Sequence, residues 1–318
     1  MKKAVIGIDI GGTKIAAHVS DMDHKSYLER RISLPDESKP AVLTGIELNS
    51  PDHEEALMRG RDAMLASIIS LCRDLITEAK AQNLDVQAVG IGSTGQVDPH
   101  QGMVVDANPN IVGWTGARIT KVVGDALNLP VIVENDVRVM AQGEVTLGAA
   151  RNFQNVLCIT VGTGIGGAIV INNELWHGAN FSAGEVGFVR VTNDETIETL
   201  YSGVGIARQY NAKHSTNHTL RAMAALANDG DESCHEAIQH AARETGLYLA
   251  PIIGILDPEA VVIGGGVPEM GALWWQPFAD AIGSFYLKSV RETPILKAEL
   301  GNRAGMIGAG ILAMRVVD

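Results

Sequence analysis

A strand, a turn of glycine and threonine, and a second strand follow one another twice along this chain of 318 residues. The turn of the first copy is Gly11-Gly12-Thr13-Lys14, and the turn of the second is Gly162-Thr-Gly-Ile-Gly-Gly167. Short connectors that contain several glycines are typical of tight hairpins between neighbouring strands. The repetition predicts two similar domains that face each other.

Predicted strands alternate with predicted helices along the whole chain, which is typical of the α/β class. Apolar residues at intervals of three and four predict a long amphipathic helix over 53–83. Further helices are predicted over 115–127, 137–148, 198–213, 219–228, 234–255 and 304–317. The polar stretch from Ser33 to Pro51 predicts a loop or a short extra element. The domain boundary is expected near Gly113 to Gly116.

The charge and the hydrophobic pattern exclude some classes of partner. A net charge of −12, with no compensating run of basic residues, disfavours nucleic acid and favours a small ligand. Asp9 and the glycines after it interrupt the apolar start of the chain, which therefore predicts a strand rather than a signal peptide. Because no apolar stretch reaches about 18 residues, we expect no membrane contact and a cytoplasmic protein.

Cysteine and histidine spacing gives no sign of a metal or disulfide site. Cys72, Cys158 and Cys234 are far apart in predicted helices or strands, so we expect buried free thiols in a reducing cytoplasm. His235 and His240 are five residues apart, which places them about 140° apart around a helix. Such a pair does not share the face that a helical metal site requires, and we expect a solvated surface there.

Asn135 and Asp136 directly follow the apolar run that begins at Val131. In open α/β sheets ligands bind at the end of such a strand. A carboxylate within hydrogen-bond reach of a bound hydroxyl can accept its proton, and the preceding asparagine can orient that hydroxyl. The alternative is that Asp136 only caps the helix that follows.

The second glycine turn matches the pattern G-x-G-x-x-G through Gly162, Gly164 and Gly167. A dinucleotide-binding fold requires a helix directly after these glycines, whereas here a strand follows. A hairpin whose backbone amides and Thr163 hydroxyl hold phosphate oxygens is favoured instead, although the glycines could serve the turn alone. With Gly264-Gly-Gly266 at another strand end, the pattern predicts a nucleotide cleft.

Asp9 lies inside an apolar strand just before the first glycine turn, where an unpaired carboxylate is costly. A buried hydrogen bond would explain it, and so would Mg²⁺ held through water beside transferring phosphates. The neighbouring glycines favour the metal.

Several motifs together resemble the ROK family of sugar kinases and related repressors, within the actin/hexokinase superfamily, over nearly the whole chain. They are Asp9-Ile-Gly-Gly-Thr-Lys14, Glu134-Asn-Asp136 with Ala141-x-Gly143-Glu144, Gly162-Thr-Gly-Ile-Gly-Gly167, Ala183-Gly-Glu-Val-Gly187, Ser202-Gly203 and Gly264-Gly-Gly266. The resemblance implies two actin/hexokinase-like (ribonuclease H-like) α/β domains with mixed sheets around a central cleft that closes on sugar. Residues 1–115 with 304–318 would form a small N-terminal domain, and residues 116–303 a large one.

The resemblance also implies roles for individual residues. Asp136 would be the base that takes the proton from the sugar hydroxyl attacking the γ-phosphate of ATP. The sugar-binding residues would be Asn110, Asn135, Glu185 and Glu198. Apart from the resemblance, we expect Ser93, Thr94, Gly95 and Trp114 to line the sugar pocket. The ATP-binding residues would be Gly11, Gly12, Thr13, Lys14, Thr163, Gly164, Gly166, Gly167, Gly265 and Gly266. Phosphoryl transfer depends on positioning, Mg²⁺ and a base, which these residues would supply.

The chain departs from the family pattern at the sugar pocket. Phe188 replaces a histidine that follows the glycine in most members, and 190–197 contains none of the cysteines of the family's zinc loop. Zinc is therefore not expected, and the pocket must be ordered differently.

We expect an ATP-dependent kinase for a hexose or N-acylhexosamine, acting at the 6-hydroxyl as a homodimer. One alternative is a sugar-sensing regulator of the same family. Those members add an N-terminal helix-turn-helix domain, and we expect no room for one before the first strand. Another alternative is a non-catalytic sugar-binding protein, which the intact Asn135-Asp136 pair disfavours. The identity of the sugar stays open.

Overall fold

The computed structural model describes residues 1–317. Its strands are β1 Lys2–Ile10, β2 Lys14–Asp21, β3 Ser26–Ser33, β4 Leu84–Ser93, β5 Gln96–Asp98, β6 Met103–Asp106, β7 Val131–Asn135, β8 Val156–Val161, β9 Ile165–Ile171, β10 Glu174–Trp176, β11 Ala260–Gly264 and β12 Ile295–Lys297. Its α-helices are α1 Pro51–Ala81, α2 Ile119–Leu127, α3 Asp136–Thr146, α4 Ile197–Tyr201, α5 Gly203–His214, α6 Leu220–Asn228, α7 Glu232–Leu256, α8 Ala272–Gly283, α9 Lys288–Glu292 and α10 Ala304–Met314. The chain divides into two compact units of similar length.

Unit 1 comprises Met1–Gly143 and the chain from Arg303 onward. Its five-stranded sheet has the order β3-β2-β1-β4-β7, in which β1 to β3 are antiparallel neighbours and β4 and β7 run parallel to β1. The buried face of α1, which includes Met64, Ile68 and Leu75, belongs to one hydrophobic core with Ile6 and Ile8 of β1. The amphipathic pattern over 53–83 therefore predicted α1 correctly.

Helix α10 packs against β1 and β4 of unit 1 at very short range. A β-carbon at Gly7 would lie 2.0 Å from the Met306 carbonyl oxygen, so this contact requires glycine. His18 of β2 lies at the same place and is only 3% exposed. Burial, reinforced by the positive charge of Arg303, lowers the pKa of His18 to about 4, against a weaker opposing influence of the Met306 backbone.

Unit 2 comprises Glu144–Asn302 and repeats the topology of unit 1. Its five-stranded sheet has the order β10-β9-β8-β11-β12, again with an antiparallel hairpin extended on one side by two parallel strands. Its core joins Ile159 of β8 to Trp274 and Phe278 of α8, which stack with ring centroids 4.6 Å apart. The two similar α/β domains predicted from the glycine turns are therefore observed.

The domain boundary expected near Gly113 to Gly116 is wrong. The chain leaves unit 1 after Gly143, within α3, and returns to it at Arg303. The reason is that β7 pairs in parallel with β4, with Asn135 opposite Ser93, so α2, β7 and the start of α3 belong to unit 1. The N-terminal domain is consequently not the smaller of the two.

All three cysteines are buried and free, as predicted. The stretch from Ser33 to Pro51 contains two short 3₁₀ turns, and the carbonyl of buried Ser38 accepts a hydrogen bond from the Val112 N–H at 2.9 Å. Within residues 1–317, every helix is too short or too polar to cross a membrane.

Candidate active site

The predicted site residues divide between the two units. Unit 1 carries Asp9, Gly11, Gly12, Thr13, Lys14, Ser93, Thr94, Gly95, Asn110, Asn135 and Asp136. Unit 2 carries Thr163, Gly164, Gly166, Gly167, Glu185, Glu198, Gly265 and Gly266.

Asp136 is the first residue of α3, and Asn135 before it caps that helix. The Asn135 Oδ1 atom accepts hydrogen bonds from the backbone N–H groups of Val137 at 2.9 Å and Arg138 at 3.2 Å. The Asn135 side-chain amide donates to the Gly95 carbonyl at 2.9 Å and to Asp136 Oδ1 at 3.0 Å. Capping, considered above as an alternative role for Asp136, is thus performed mainly by its neighbour.

The Asp136 carboxylate is held in a fixed orientation. Its Oδ1 atom accepts from Asn135 and also from the Val137 N–H at 2.9 Å, while the residue stays partly exposed. Behind it, Glu134 and Arg138 form a buried ion pair at 3.4 Å, and Glu134 also accepts from the Asn135 N–H at 2.8 Å. The sequence motifs did not predict this ion pair, although opposite charges four residues apart at the end of an apolar strand could have indicated it.

Ser93 and Trp114 are more deeply placed than expected. The Ser93 hydroxyl is fully buried, accepts from the Trp114 Nε1–H at 2.9 Å and donates to the Thr94 carbonyl at 3.0 Å. Trp114 is 1% exposed and belongs to the hydrophobic core. Both side chains support the end of β4 instead of lining a pocket, whereas Thr94 and Gly95 are partly exposed.

The first glycine hairpin offers open hydrogen-bond donors. The Gly11 N–H closes the turn on the Lys14 carbonyl at 3.0 Å, whereas the N–H groups of Gly12 and Thr13 have no partner within residues 1–317. A β-carbon at Gly12 would lie 3.7 Å from the Asn110 side-chain amide. The structure therefore brings Asn110, predicted to bind sugar, beside a turn predicted to bind phosphate.

Asp9 lies in β1, two residues before this turn, and its carboxylate packs beside the start of α10. A β-carbon at Gly305 would lie 2.5 Å from the Asp9 carboxyl carbon. Burial raises the pKa of Asp9 to about 6, while the positive charge of Lys14 opposes the shift. Asp9 accepts no hydrogen bond within residues 1–317, so the buried hydrogen bond considered above is not observed.

A single carboxylate, that of Asp9, suits a hard cation that takes most of its ligands from water and substrate. Among residues 1–317, no three carboxylate, histidine or cysteine side chains are grouped so as to hold a metal ion. Mg²⁺ commonly keeps several waters and binds through one or two carboxylates together with substrate phosphates. Asp9, a buried carboxylate that accepts no hydrogen bond from the described residues and lies beside a glycine turn, suits this kind of Mg²⁺ binding.

The second glycine hairpin is closed by the Gly162 N–H on the Gly164 carbonyl at 2.8 Å. The N–H groups of Thr163 and Gly164 have no partner within residues 1–317, so they can donate hydrogen bonds to an anion. Gly265 has a φ of +94°, and a β-carbon there would lie 2.3 Å from the Val161 carbonyl oxygen. The third glycine-rich strand end therefore packs directly beside this hairpin, as the predicted nucleotide site requires.

Glu185 and Glu198 lie on elements that pack against the start of β9. The Glu198 Oε2 atom accepts a hydrogen bond from the Ile165 N–H at 2.8 Å. Glu185 precedes the 3₁₀ turn Val186–Phe188, where a β-carbon at Gly187 would lie 2.1 Å from the Ile165 carbonyl oxygen. The single helix predicted over 198–213 is broken, because Ser202 ends α4 and caps α5.

The segment that lacks the family's cysteines is closed by hydrogen bonds. Arg190 and Thr196 form an isolated antiparallel bridge, and the Thr192 hydroxyl accepts from the Glu195 N–H at 3.1 Å. Glu195 also pairs with Arg208 of α5 at 3.1 Å. These contacts hold the segment from Arg190 to Thr196 in place without a metal ligand from cysteine. Phe188, which replaces the histidine, is 69% exposed.

With this geometry established, comparison with known proteins identifies the family. The model of the ROK family matches residues 41–316. The chain belongs to the ROK family. This ROK protein is 30% identical over 350 residues to the glucokinase of Streptomyces coelicolor, covering 97% of this chain and 96% of the relative. It is 29% identical to the N-acetyl-D-glucosamine kinase of Citrobacter koseri, covering 96% of this chain and 98% of the relative.

Solved structures agree with the sequence comparison. A ROK family glucokinase from Streptomyces griseus, crystallised with glucose and AMPPNP, matches this ROK protein with a TM-score of 0.76 at 28% identity. The match covers 98% of this chain and 99% of that chain. The expected fold class, two α/β domains with mixed sheets, is therefore confirmed.

Proposed function

We propose that this ROK protein is an ATP-dependent sugar kinase that transfers the γ-phosphoryl group to the 6-hydroxyl of a hexose or N-acylhexosamine. The observation that carries the proposal is Asp136, a partly exposed carboxylate fixed at the end of β7 by Asn135. The similarity to a glucokinase and to an N-acetyl-D-glucosamine kinase over almost the full chain supports the substrate class.

Unit 1 would supply the groups that act on the sugar. Asp136 would accept the proton of the attacking hydroxyl, and a positioned general base contributes about 10²- to 10⁴-fold to rate. Asn135 uses its amide hydrogens on Gly95 and Asp136, so its main contribution would be to hold the base. Direct sugar contacts would come from Thr94, Gly95 and Asn110, because the Ser93 hydroxyl is buried.

Unit 2 would supply the groups that hold ATP. The open N–H groups of Thr163 and Gly164 would bind phosphate oxygens, with the adenosine beside Gly265 and Gly266. In unit 1, the turn from Gly11 to Lys14 would bind phosphate in the same manner. Asp9 would hold Mg²⁺ through water, and the metal, when bound, neutralises charge on the phosphates.

Substitution of Asp136 by asparagine tests the proposal directly. Asparagine can still accept the Val137 N–H but cannot act as a base, so we expect sugar-dependent ADP release to fall by about 10³-fold with AMP-PNP binding retained. The assay is ADP release over a panel of hexoses and acetamido sugars. Asp125→Asn on α2, an exposed residue paired with Lys121, is the matched control and should keep wild-type turnover.

The same measurements separate the alternatives. A regulator or a sugar-binding protein would bind a sugar by calorimetry without sugar-dependent ADP release in the wild type. Retention of more than about a tenth of wild-type turnover by Asp136→Asn would contradict the assignment of the base.

A further inference from the structure

Glu198, assigned above to the sugar, makes its observed contact with the second glycine hairpin instead. Its Oε2 atom lies 2.8 Å from the Ile165 nitrogen, the first residue after the turn. A β-carbon at Gly164 would lie 2.4 Å from the same oxygen, so the turn and the carboxylate fit together only because residue 164 has no side chain. The carboxylate therefore fixes the end of the turn.

The opposite end of the turn is held by the same helical junction. The Gly203 N–H, at the start of α5, donates to the Gly162 carbonyl at 2.7 Å. Ser202 between the two helices caps α5 through the Gly205 N–H at 3.2 Å, which fixes Gly203. The α4–α5 junction consequently binds the hairpin on both sides, and Thr163 with its open amide lies between the two attachments.

One Glu198 oxygen remains available. Its Oε1 atom accepts no hydrogen bond within residues 1–317, and the residue is partly exposed. A carboxylate that bonds a protein amide with one oxygen and a ligand hydroxyl with the other couples the two binding events, because each bond restricts the rotation of the same group.

Resting on the proposed function, we infer that Glu198 is a positioning residue that holds the nucleotide-phosphate hairpin and couples its geometry to sugar binding. The protein then binds nucleotide through a turn already held in place before sugar arrives. Occupation of Oε1 by a sugar hydroxyl fixes the carboxylate, and with it the Ile165 N–H and the amides of the turn.

Two conservative variants, one that changes the charge and one that changes the length, separate this role from a contact to sugar alone. Glu198→Gln keeps an oxygen that can accept from Ile165 but removes the charge, whereas Glu198→Asp keeps the charge on a side chain too short to reach. We expect the dissociation constant of AMP-PNP with MgCl₂, measured by calorimetry without sugar, to rise about tenfold in Glu198→Asp and Glu198→Ala. Glu198→Gln should stay within about threefold of wild type.

Asp125→Asn on α2 is the control, because Asp125 is an exposed residue of unit 1 that pairs with Lys121; its sugar-free AMP-PNP affinity should equal that of wild type. In wild type, saturating glucose or N-acetylglucosamine should tighten AMP-PNP binding, and this enhancement should be lost in Glu198→Asp. Wild-type AMP-PNP affinity in Glu198→Asp, or equal weakening in Glu198→Gln, would overturn the inference. Failure of the wild type to bind AMP-PNP would overturn the proposed function as well.

Discussion

The hairpin between β1 and β2 and the hairpin between β8 and β9 occupy equivalent places in the two units, but a carboxylate approaches each of them differently. Asp9 lies inside the first strand of its hairpin, faces the start of α10 and accepts no hydrogen bond within residues 1–317. Glu198 comes from a helix outside its hairpin and bonds the backbone of the turn. At the position equivalent to Asp9, the second hairpin has Thr160.

The difference indicates two uses for a negative charge beside a glycine turn. The raised pKa of Asp9 shows that its charged form is poorly compensated, which suits a group that meets a cation only when a ligand is bound. The charge of Glu198 is compensated by a backbone amide, which suits a group that keeps a turn in place. The duplicated fold thus has one hairpin prepared for a metal and another prepared for phosphate.

Asp9→Asn should give the largest effect on this comparison. We expect sugar-dependent ADP release to fall by about 10²-fold, because the variant cannot hold Mg²⁺ beside the phosphates. At pH 8 the free energy of unfolding should rise by up to about 3 kcal/mol, since a pKa near 6 in place of 3.8 opposes folding of the charged form.

The sign of this pH dependence follows from the raised pKa. The stability contributed by protonated Asp9 is complete below pH 3.8 and is lost as the pH rises through about 6. Denaturant titrations of wild type and Asp9→Asn should therefore differ at pH 8 and converge near pH 4. A variant that is no more stable at pH 8 would mean that Asp9 is compensated in the folded protein.

Alanine at corresponding turn glycines should separate the two hairpins by a smaller amount. In Gly164→Ala the new β-carbon displaces the Glu198 carboxylate from Ile165, and we expect a loss of about 1–2 kcal/mol of unfolding free energy. In Gly12→Ala the nearest atom lies at an ordinary contact distance of 3.7 Å, so a change below about 0.5 kcal/mol is expected. When Glu198 is already alanine, the further substitution Gly164→Ala should no longer lower the free energy of unfolding. If it still does, the strain lies elsewhere in the turn.

The smallest expected effect concerns the helix cap beside the second hairpin. Ser202→Ala removes the cap of α5 and should cost about 1 kcal/mol, together with about a twofold loss of AMP-PNP affinity through Gly203. Thr219→Ala removes a cap with the same 3.2 Å geometry from α6 and is the matched control. It should show the same loss of stability with unchanged nucleotide affinity; equal affinities in the two variants would exclude a link between the cap and the turn.

Local sequence patterns could predict the parts of the fold that local interactions determine. Each glycine hairpin is closed by contacts within a few residues, and α1 follows from the spacing of its apolar residues. The edge strand β3 was not predicted, because its exposed charged residues hide the alternation of a strand. Helix α8 was not predicted, because its sequence is apolar nearly all round and contains Pro277.

Long-range contacts explain the remaining differences at the site. The domain boundary depends on the pairing of β7 with β4, and the burial of Ser93 depends on Trp114, 21 residues away. The contact of Glu198 with Ile165 joins residues 33 apart in the sequence. The break at Ser202 was missed because a serine at this position fits either a helix interior or an N-cap. The sequence motifs identify candidate residues, but not the atoms that those residues contact.

The buried imidazole of His18 gives unit 1 a hidden response to acid. Its pKa near 4, against 6.5 in an unfolded chain, means that stability is lost as the pH falls from about 6.5 to 4, by about 3 kcal/mol. Asp9 titrates over nearly the same interval with the opposite sign and a similar size. The two contributions cancel, so the free energy of unfolding of the wild type should change little on mild acidification. Asp9→Asn, although more stable than the wild type at pH 8, should lose stability as the pH falls.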